Sequence, residues 1–252
     1  MSLFYDVRPI ETIDEALSYY NTNDCSSSSR FVVPLLSWLK HEPEMVQRVL
    51  HDLKLPAENE LHLDYIVAPP GGYGTPSQSD LMVIAGKSSL AMEVKWTEPR
   101  FETVGKWLAK GSKPKSRNHL LAGWIGLLQK HAARQLFPSD FSDAVYQMVH
   151  VAAAACATGS APRMAYLVFK NPDEETDYIK EIKEDMMHLR TVLQNPESFP
   201  FYLIEVSLSP AYAYNALVSL ERGTAGTTCA VVNALRGEEC LFDFIKYKCQ
   251  TI

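Results

Sequence analysis

Residues 75–99 read TPSQSDLMVIAGKSSLAMEVKWTEP, and how this stretch folds decides the architecture. The segments 80–84 and 90–96 are short, dense in β-branched and large apolar residues, and joined by a tight connection at Gly86-Lys87-Ser88, the pattern of a β-hairpin. Side chains alternate along a strand, so Glu93 and Lys95 point to one face of the second segment, while Leu90, Met92, Val94 and Trp96 point to the other. One face packs and the other carries charge. An antiparallel neighbour brings Asp80, near the start of the first segment, within reach of that charged face. Two carboxylates and one ammonium then converge.

Paired carboxylates hold hard divalent cations such as magnesium, and a cation held there polarises a phosphate and lowers the pKa of an attacking water. Lys95 would position that water or neutralise developing charge. An edge-strand charge pair is the ordinary explanation for so short a pattern as Glu-x-Lys. Glu181-Ile-Lys183 has the same spacing, but it lies in a stretch of helical periodicity with no strand carboxylate upstream, and it reads as a solvated helix face. What sets Glu93 and Lys95 apart is the apolar strand around them and an acid one hairpin earlier.

An acid, a hairpin and then Glu-x-Lys resemble the signature of the PD-(D/E)XK nuclease superfamily, the restriction-endonuclease-like enzymes. Glu93-Val-Lys-Trp-Thr-Glu98 is similar to a Glu-x-Lys-aromatic-Thr-Glu run found among its members. The resemblance implies that Asp80, Glu93 and the carbonyl of Val94 hold Mg2+ (or Mn2+), with Lys95 as catalytic lysine. Ser79 stands where the name-giving proline would be. Further on, Tyr146-Gln147-x-x-His150 and the alanine-rich run after it resemble the helix that follows the hairpin in these proteins. There a glutamine faces the metal, which implies a site role for Gln147, with His150 as a packing histidine. Additional acids are expected from Glu98 and from a helix ahead of the first strand, where Glu44 and Glu42 qualify. For both of those helix glutamates, an exposed first turn favoured by the helix dipole is the ordinary explanation.

The 252 residues, close to half of them hydrophobic, suffice for one sizeable core, and a single domain over 1–252 with an insertion at about 97–141 is expected. The five cysteines (Cys25, Cys156, Cys229, Cys240, Cys249) include no Cys-x-x-Cys pair, which argues against a zinc site or disulfide framework. An acidic, amphipathic amino terminus and the lack of any long apolar run point to a cytoplasmic protein without a membrane role. Net charge is −6, yet residues 95–134 alone carry nine Lys or Arg against two acids. That local excess suits a phosphate-binding surface, and Lys106, Lys110, Lys113, Lys115 and Arg117 are the expected nucleic-acid contacts. A solvated basic loop is the plain alternative.

The remaining order is two helices within 31–55, the first with a serine cluster ahead of it able to cap and the second running from Pro43, then a strand over 60–68 and a glycine-rich loop over 69–76. After the hairpin come a polar excursion over 96–117, a helix over 118–136, a buried helix over 142–157 and a strand over 163–169. A helix starts near Asn171-Pro172, and two further strands (201–208, 240–247) flank a helix over 212–221. This is the α-β-β-β-α-β order of the restriction-endonuclease-like core, an α/β fold with a mixed central sheet, here with carboxy-terminal additions. The expected activity is metal-dependent phosphodiester hydrolysis: a DNA endonuclease of restriction, defence or repair acting on double-stranded DNA, with a homodimer left open. The alternatives are a non-cleaving nucleic-acid-binding protein of the same fold and an RNA-directed nuclease.

Overall fold

The computed structural model describes residues 1–20, 23–72, 74–110, 114–172, 177–194, 197–221 and 227–252. In chain order its elements are β1 (Ser2–Tyr5), β2 (Arg8–Ile10), α1 (Ile13–Ala16), α2 (Val32–His41), α3 (Pro43–Asp52), β3 (Glu60–Val67), β4 (Ser77–Ala85) and β5 (Ser88–Lys95). The segment between β5 and Tyr146 contributes α4 (Val104–Ala109) and α5 (Pro114–Leu128). After it come α6 (Tyr146–Thr158), β6 (Ala161–Lys170), α7 (Asp177–Leu193), β7 (Phe201–Pro210), α8 (Tyr212–Glu221), α9 (Thr227–Arg236) and β8 (Phe242–Thr251).

All eight strands form one mixed sheet in the order β2-β1-β3-β4-β5-β6-β7-β8. β3, β4 and β5 form an antiparallel meander, and β5, β6 and β7 run parallel, β6 being reached through α6 and β7 through α7. The β4–β5 turn has two residues, since Ala85 pairs with Ser88, and Gly86 takes φ +60 at its first position. That is glycine's place in a hairpin turn matched to strand twist.

Helices cover both faces. One apolar layer joins Leu90, Met92 and Val94 of β5 to Trp38 of α2, Val49 of α3 and Leu235 of α9. The other joins Ala91 of β5 and Tyr166 of β6 to α5, α6 and α7. Each large side chain buried in these layers stabilises the fold by about 1.5–3 kcal/mol. Val151 to Ala155 of α6 are fully buried, and the four alanines in that run bring the helix axis close to the sheet. The helix ends at Gly159, where a β-carbon would lie 2.7 Å from Ser89 Oγ and 2.8 Å from the Lys87 carbonyl oxygen. α6 is thereby wedged against the hairpin turn.

Several local expectations change in the folded chain. The amino terminus forms β1 and β2 and extends the sheet beyond β3, so 60–67 is not its first strand. The serine cluster does not cap α2. The N-cap position is Phe31, which makes no side-chain cap, and its N–H donates to Glu98 Oε1 at 2.7 Å. α6 begins at Tyr146 rather than at residue 142, because residues 138–141 form a 3-10 turn and Thr103 bridges to Val145 ahead of the helix. α5 begins at Pro114, inside the expected polar excursion. α9 is an additional helix before β8. The expected start of α7 falls partly on 173–176, outside the described residues.

Among the described residues no helix is long and apolar enough to cross a membrane. Cys25, Cys156, Cys240 and Cys249 are free, and burial pushes the Cys25 and Cys249 thiols up to about 11, which keeps them protonated. The Cys229 side chain lies outside the description.

Candidate active site

Asp80, Glu93, Lys95 and Gln147 meet under α6, each at most 8% exposed. Alternation along β5 brings Glu93 and Lys95 to the same face as Ala91, and the β4–β5 register, with Leu81 opposite Met92, sets Asp80 next to Glu93. The Lys95 ammonium donates to Glu93 Oε1 at 2.8 Å, and Gln147 Nε2 donates to the same oxygen at 2.5 Å. Asp80 Oδ2 accepts from the Val94 N–H at 2.7 Å. In an extended strand the N–H and C=O of one residue point the same way, so the Val94 carbonyl also faces the Asp80 side. The charged face of the hairpin is therefore as buried as its apolar face.

Burying two carboxyl groups side by side forces one to keep a proton. Asp80 is driven well above the usual carboxylate range, first by burial and then by the Glu93 charge, with Lys95 and the Val94 N–H pulling the other way. Glu93 is also raised by burial, but the Lys95 ammonium opposes the shift, and Asp80 hydrogen-bonds to it. The Lys95 ammonium thus favours the charge on Glu93, and burial beside that charge favours the protonated form of Asp80.

Three neighbours complete the surroundings. Tyr166, the register partner of Glu93 on β6, is 2% exposed, and its hydroxyl has no hydrogen-bond partner among the described residues. The nearby Glu93 charge adds to burial in holding that hydroxyl protonated. Phe101 lies over the site with its ring centroid 5.1 Å from the Lys95 ammonium. Arg100 ties the same segment to α7 through a two-pronged ion pair with Asp185, at 2.7 and 2.6 Å.

The donor set fits a hard cation. Among the described residues no three His, Cys, Asp or Glu side chains are grouped to hold a metal, but magnesium is ordinarily bound by one or two carboxylates with waters completing its shell. Asp80, Glu93 and the Val94 carbonyl supply such oxygens, and the orphaned Tyr166 hydroxyl is a donor suited to a water in that shell.

Other expected site residues lie elsewhere. Glu98 does not face Asp80. Its oxygens accept from the N–H groups of Phe31, Trp96 and Thr97, so it ties the start of α2 to the end of β5. Glu44 is exposed on α3 beside a cavity that Asn59 and Tyr247 also line, and α3 packs on the sheet face opposite the one carrying Glu93 and Lys95. Glu42 occupies the N-cap position of α3 without a side-chain hydrogen bond to the helix. Of the basic residues, Lys106 and Lys115 are exposed. Lys110 pairs with Glu102 at 2.5 Å. Arg117 is half-buried, donates to the Trp107 carbonyl and stacks over the Trp107 ring, so its guanidinium is already engaged. Lys113 lies outside the described residues. His150 bonds to Ser77 Oγ at 2.9 Å and is held neutral, pushed down to about 4 by burial, as a packing histidine would be.

Asp64 is the acid that residue patterns did not single out. It sits on β3 between the pairs Leu63–Leu81 and Tyr65–Ser79, hence opposite Asp80, and takes φ +52. Its Oδ2 accepts from the Tyr5 hydroxyl at 2.9 Å, and burial pushes its pKa up to about 6. The signal was present: an aspartate inside Leu61-His-Leu-Asp-Tyr-Ile66, a strand where that residue is disfavoured. A raised carboxylate pKa favours folding below the unfolded value and loses that contribution as pH rises through the folded one. Asp64→Asn, an amide that tolerates positive φ, is therefore expected to leave stability nearly unchanged at about pH 4 and to add about 2 kcal/mol at about pH 7. Thermal denaturation at the two pH values checks this, and an equal gain at both would discard the assignment.

Comparison with curated proteins and with solved structures gives no match. A family model described as a domain of unknown function, DUF6946, matches residues 23–205, most of the chain and every residue of the site just described, so the chain belongs to the DUF6946 family.

Proposed function

We propose that the chain is a magnesium- or manganese-dependent nuclease of the restriction-endonuclease-like fold, hydrolysing phosphodiesters of DNA. The observation that carries this reading is the convergence of Asp80, Glu93, Lys95 and Gln147 on one buried point. The order of α2–α3, β3, β4, β5, α6 and β6, with an insertion between β5 and α6, agrees with it. When bound by Asp80, Glu93 and the Val94 carbonyl, the cation supplies Lewis acidity toward the phosphate and the attacking water. Gln147 fixes the orientation of the Glu93 carboxylate. Lys95, already beside that carboxylate, orients the water and offsets negative charge as the phosphate is attacked. Asp80 must release its proton for the cation to bind, so metal uptake is coupled to deprotonation.

The burial of all four groups, with Phe101 over the Lys95 ammonium, favours a second reading, a nucleic-acid-binding protein of the same fold that does not cut. One assay decides between them. Supercoiled plasmid incubated with the protein and Mg2+ or Mn2+ is expected to be nicked, with no nicking after chelation or in Glu93→Ala. Binding without nicking under either metal would retire the nuclease reading, as would undiminished nicking by Glu93→Ala. Running RNA in parallel separates the polymers.

A further inference from the structure

The sheet face that carries Glu93 and Lys95 continues past β6 into a groove of about 360 Å³ lined by Lys170, Lys180, Lys183, Lys246 and Lys248, with Glu205 in its floor. Register connects it to the site. Lys95 pairs with Val168, Val168 with Glu205, and Glu205 with Lys248. Residues directly opposite one another share a face, and strands lie about 4.8 Å apart, so Lys248 stands about 14 Å from Lys95 along one row. The next row on that face, two residues further along, runs from Lys170 through Ser207 to Lys246.

Glu205 organises these lysines more than it neutralises them. Its side chain is 12% exposed, with Oε2 3.0 Å from the Lys170 ammonium and Oε1 3.7 Å from that of Lys248. It is the only acid among the described lining residues, against five ammonium groups. α7 divides its charges accordingly: Lys180 and Lys183 line the groove, while Glu181, Glu184 and Asp185 act on Arg100. Lys180 has Asp177 at 3.6 Å, but that carboxylate is 96% exposed and screened by water. The acids at 173–175 lie outside the described residues. Lysines on an edge strand also discourage unwanted pairing, which would explain Lys246 and Lys248 on β8. It does not explain Lys170 on β6 or the two lysines of α7.

We infer that this groove is a second contact surface for the nucleic-acid backbone, engaging phosphates about four positions from the one attacked, since duplex phosphates on one strand advance about 3.4 Å along the axis. The inference rests on the nuclease reading for the distance between the two contacts. It assigns the principal backbone grip to the β6–α7–β8 side as well as to the basic insertion.

The test uses the full chain with a labelled random-sequence duplex, and compares wild type with a Lys180→Gln, Lys246→Gln, Lys248→Gln variant, all three residues being exposed. Each lost phosphate contact lowers the slope of log affinity against log salt by about 0.9, so a slope shallower by about 2–3 and at least about tenfold weaker binding near physiological salt are expected. Unchanged melting temperature certifies the fold, and single Lys246→Gln and Lys248→Gln variants replace the triple variant if it fails that check. Wild type that nicks while the variant binds with unaltered affinity and slope overturns the groove and leaves the nuclease reading standing. Wild type that binds without nicking, with binding weakened in the variant, overturns the nuclease reading and keeps the groove. Tripolyphosphate bound at the groove without any effect of the substitutions on duplex binding overturns the backbone assignment in favour of a small-anion site.

Discussion

Asp80→Asn is expected to keep, or slightly raise, the melting temperature while removing about 10²–10³-fold of the metal-dependent nicking, the scale of deleting one charge-stabilising group from an active site. The two readouts part because of the proton that burial imposes on Asp80. An asparagine is close in shape to that neutral carboxyl. Its amide oxygen can still accept from Val94 N and its NH2 can still donate to Glu93, while the repulsion between two buried acids disappears. What the amide cannot do is supply the second negative charge that a divalent cation needs. Calorimetric titration with Mn2+, thermal denaturation and plasmid nicking on the same sample check the three parts. A fall in melting temperature with unchanged metal binding would show that Asp80 is a structural anion, and persistent nicking would remove it from the cation's ligands.

Lys95→Met is expected to cost about 3–5 kcal/mol of stability as well as activity, because it leaves the Glu93 carboxylate 4% exposed with no opposing charge. Methionine fills much of the lysine stem's volume, so the loss reports charge more than cavity. Glu93 would then retreat toward its neutral form, and a carboxyl whose folded pKa is raised contributes stability at low pH that is lost as pH rises. The deficit should therefore be smallest near pH 4.5, the ordinary value for this group, and grow toward neutrality. The double variant Glu93→Gln, Lys95→Met removes both charges and should recover most of the stability with none of the activity. Chemical denaturation across pH measures this, and a pH-independent deficit that the double variant does not recover would mean that packing, not the ion pair, dominates at Lys95.

Both predictions depend on features that the chain discloses unevenly. The hairpin, the shared face of Glu93 and Lys95, and the approach of Asp80 were legible because they follow from a two-residue period and a two-residue turn, both local properties of residues 77–95. The helices α2, α3, α5 and α6 were legible for a similar reason, although capping signals misled. Serines ahead of α2 looked like its cap, whereas the carboxylate that meets Phe31 N arrives from Glu98, 67 positions later. Gln147 came from a resemblance, and nothing in its own neighbourhood says that its amide ends 2.5 Å from Glu93.

What the sequence by itself determined is the set of elements and the facing of side chains within each, since periodicity, turn residues and strand composition act over a few neighbouring positions. What only the tertiary structure decided is which elements lie side by side. It put α6 over the charged face of β5, so that burial pushes the Asp80 carboxyl up, and engaged Arg117 against Trp107. It also added β1 and β2 ahead of β3, and gathered lysines from β6, α7 and β8 around Glu205. Burial, proton affinity and net local charge belong to groups brought together from distant parts of the chain, and no window along it contains them.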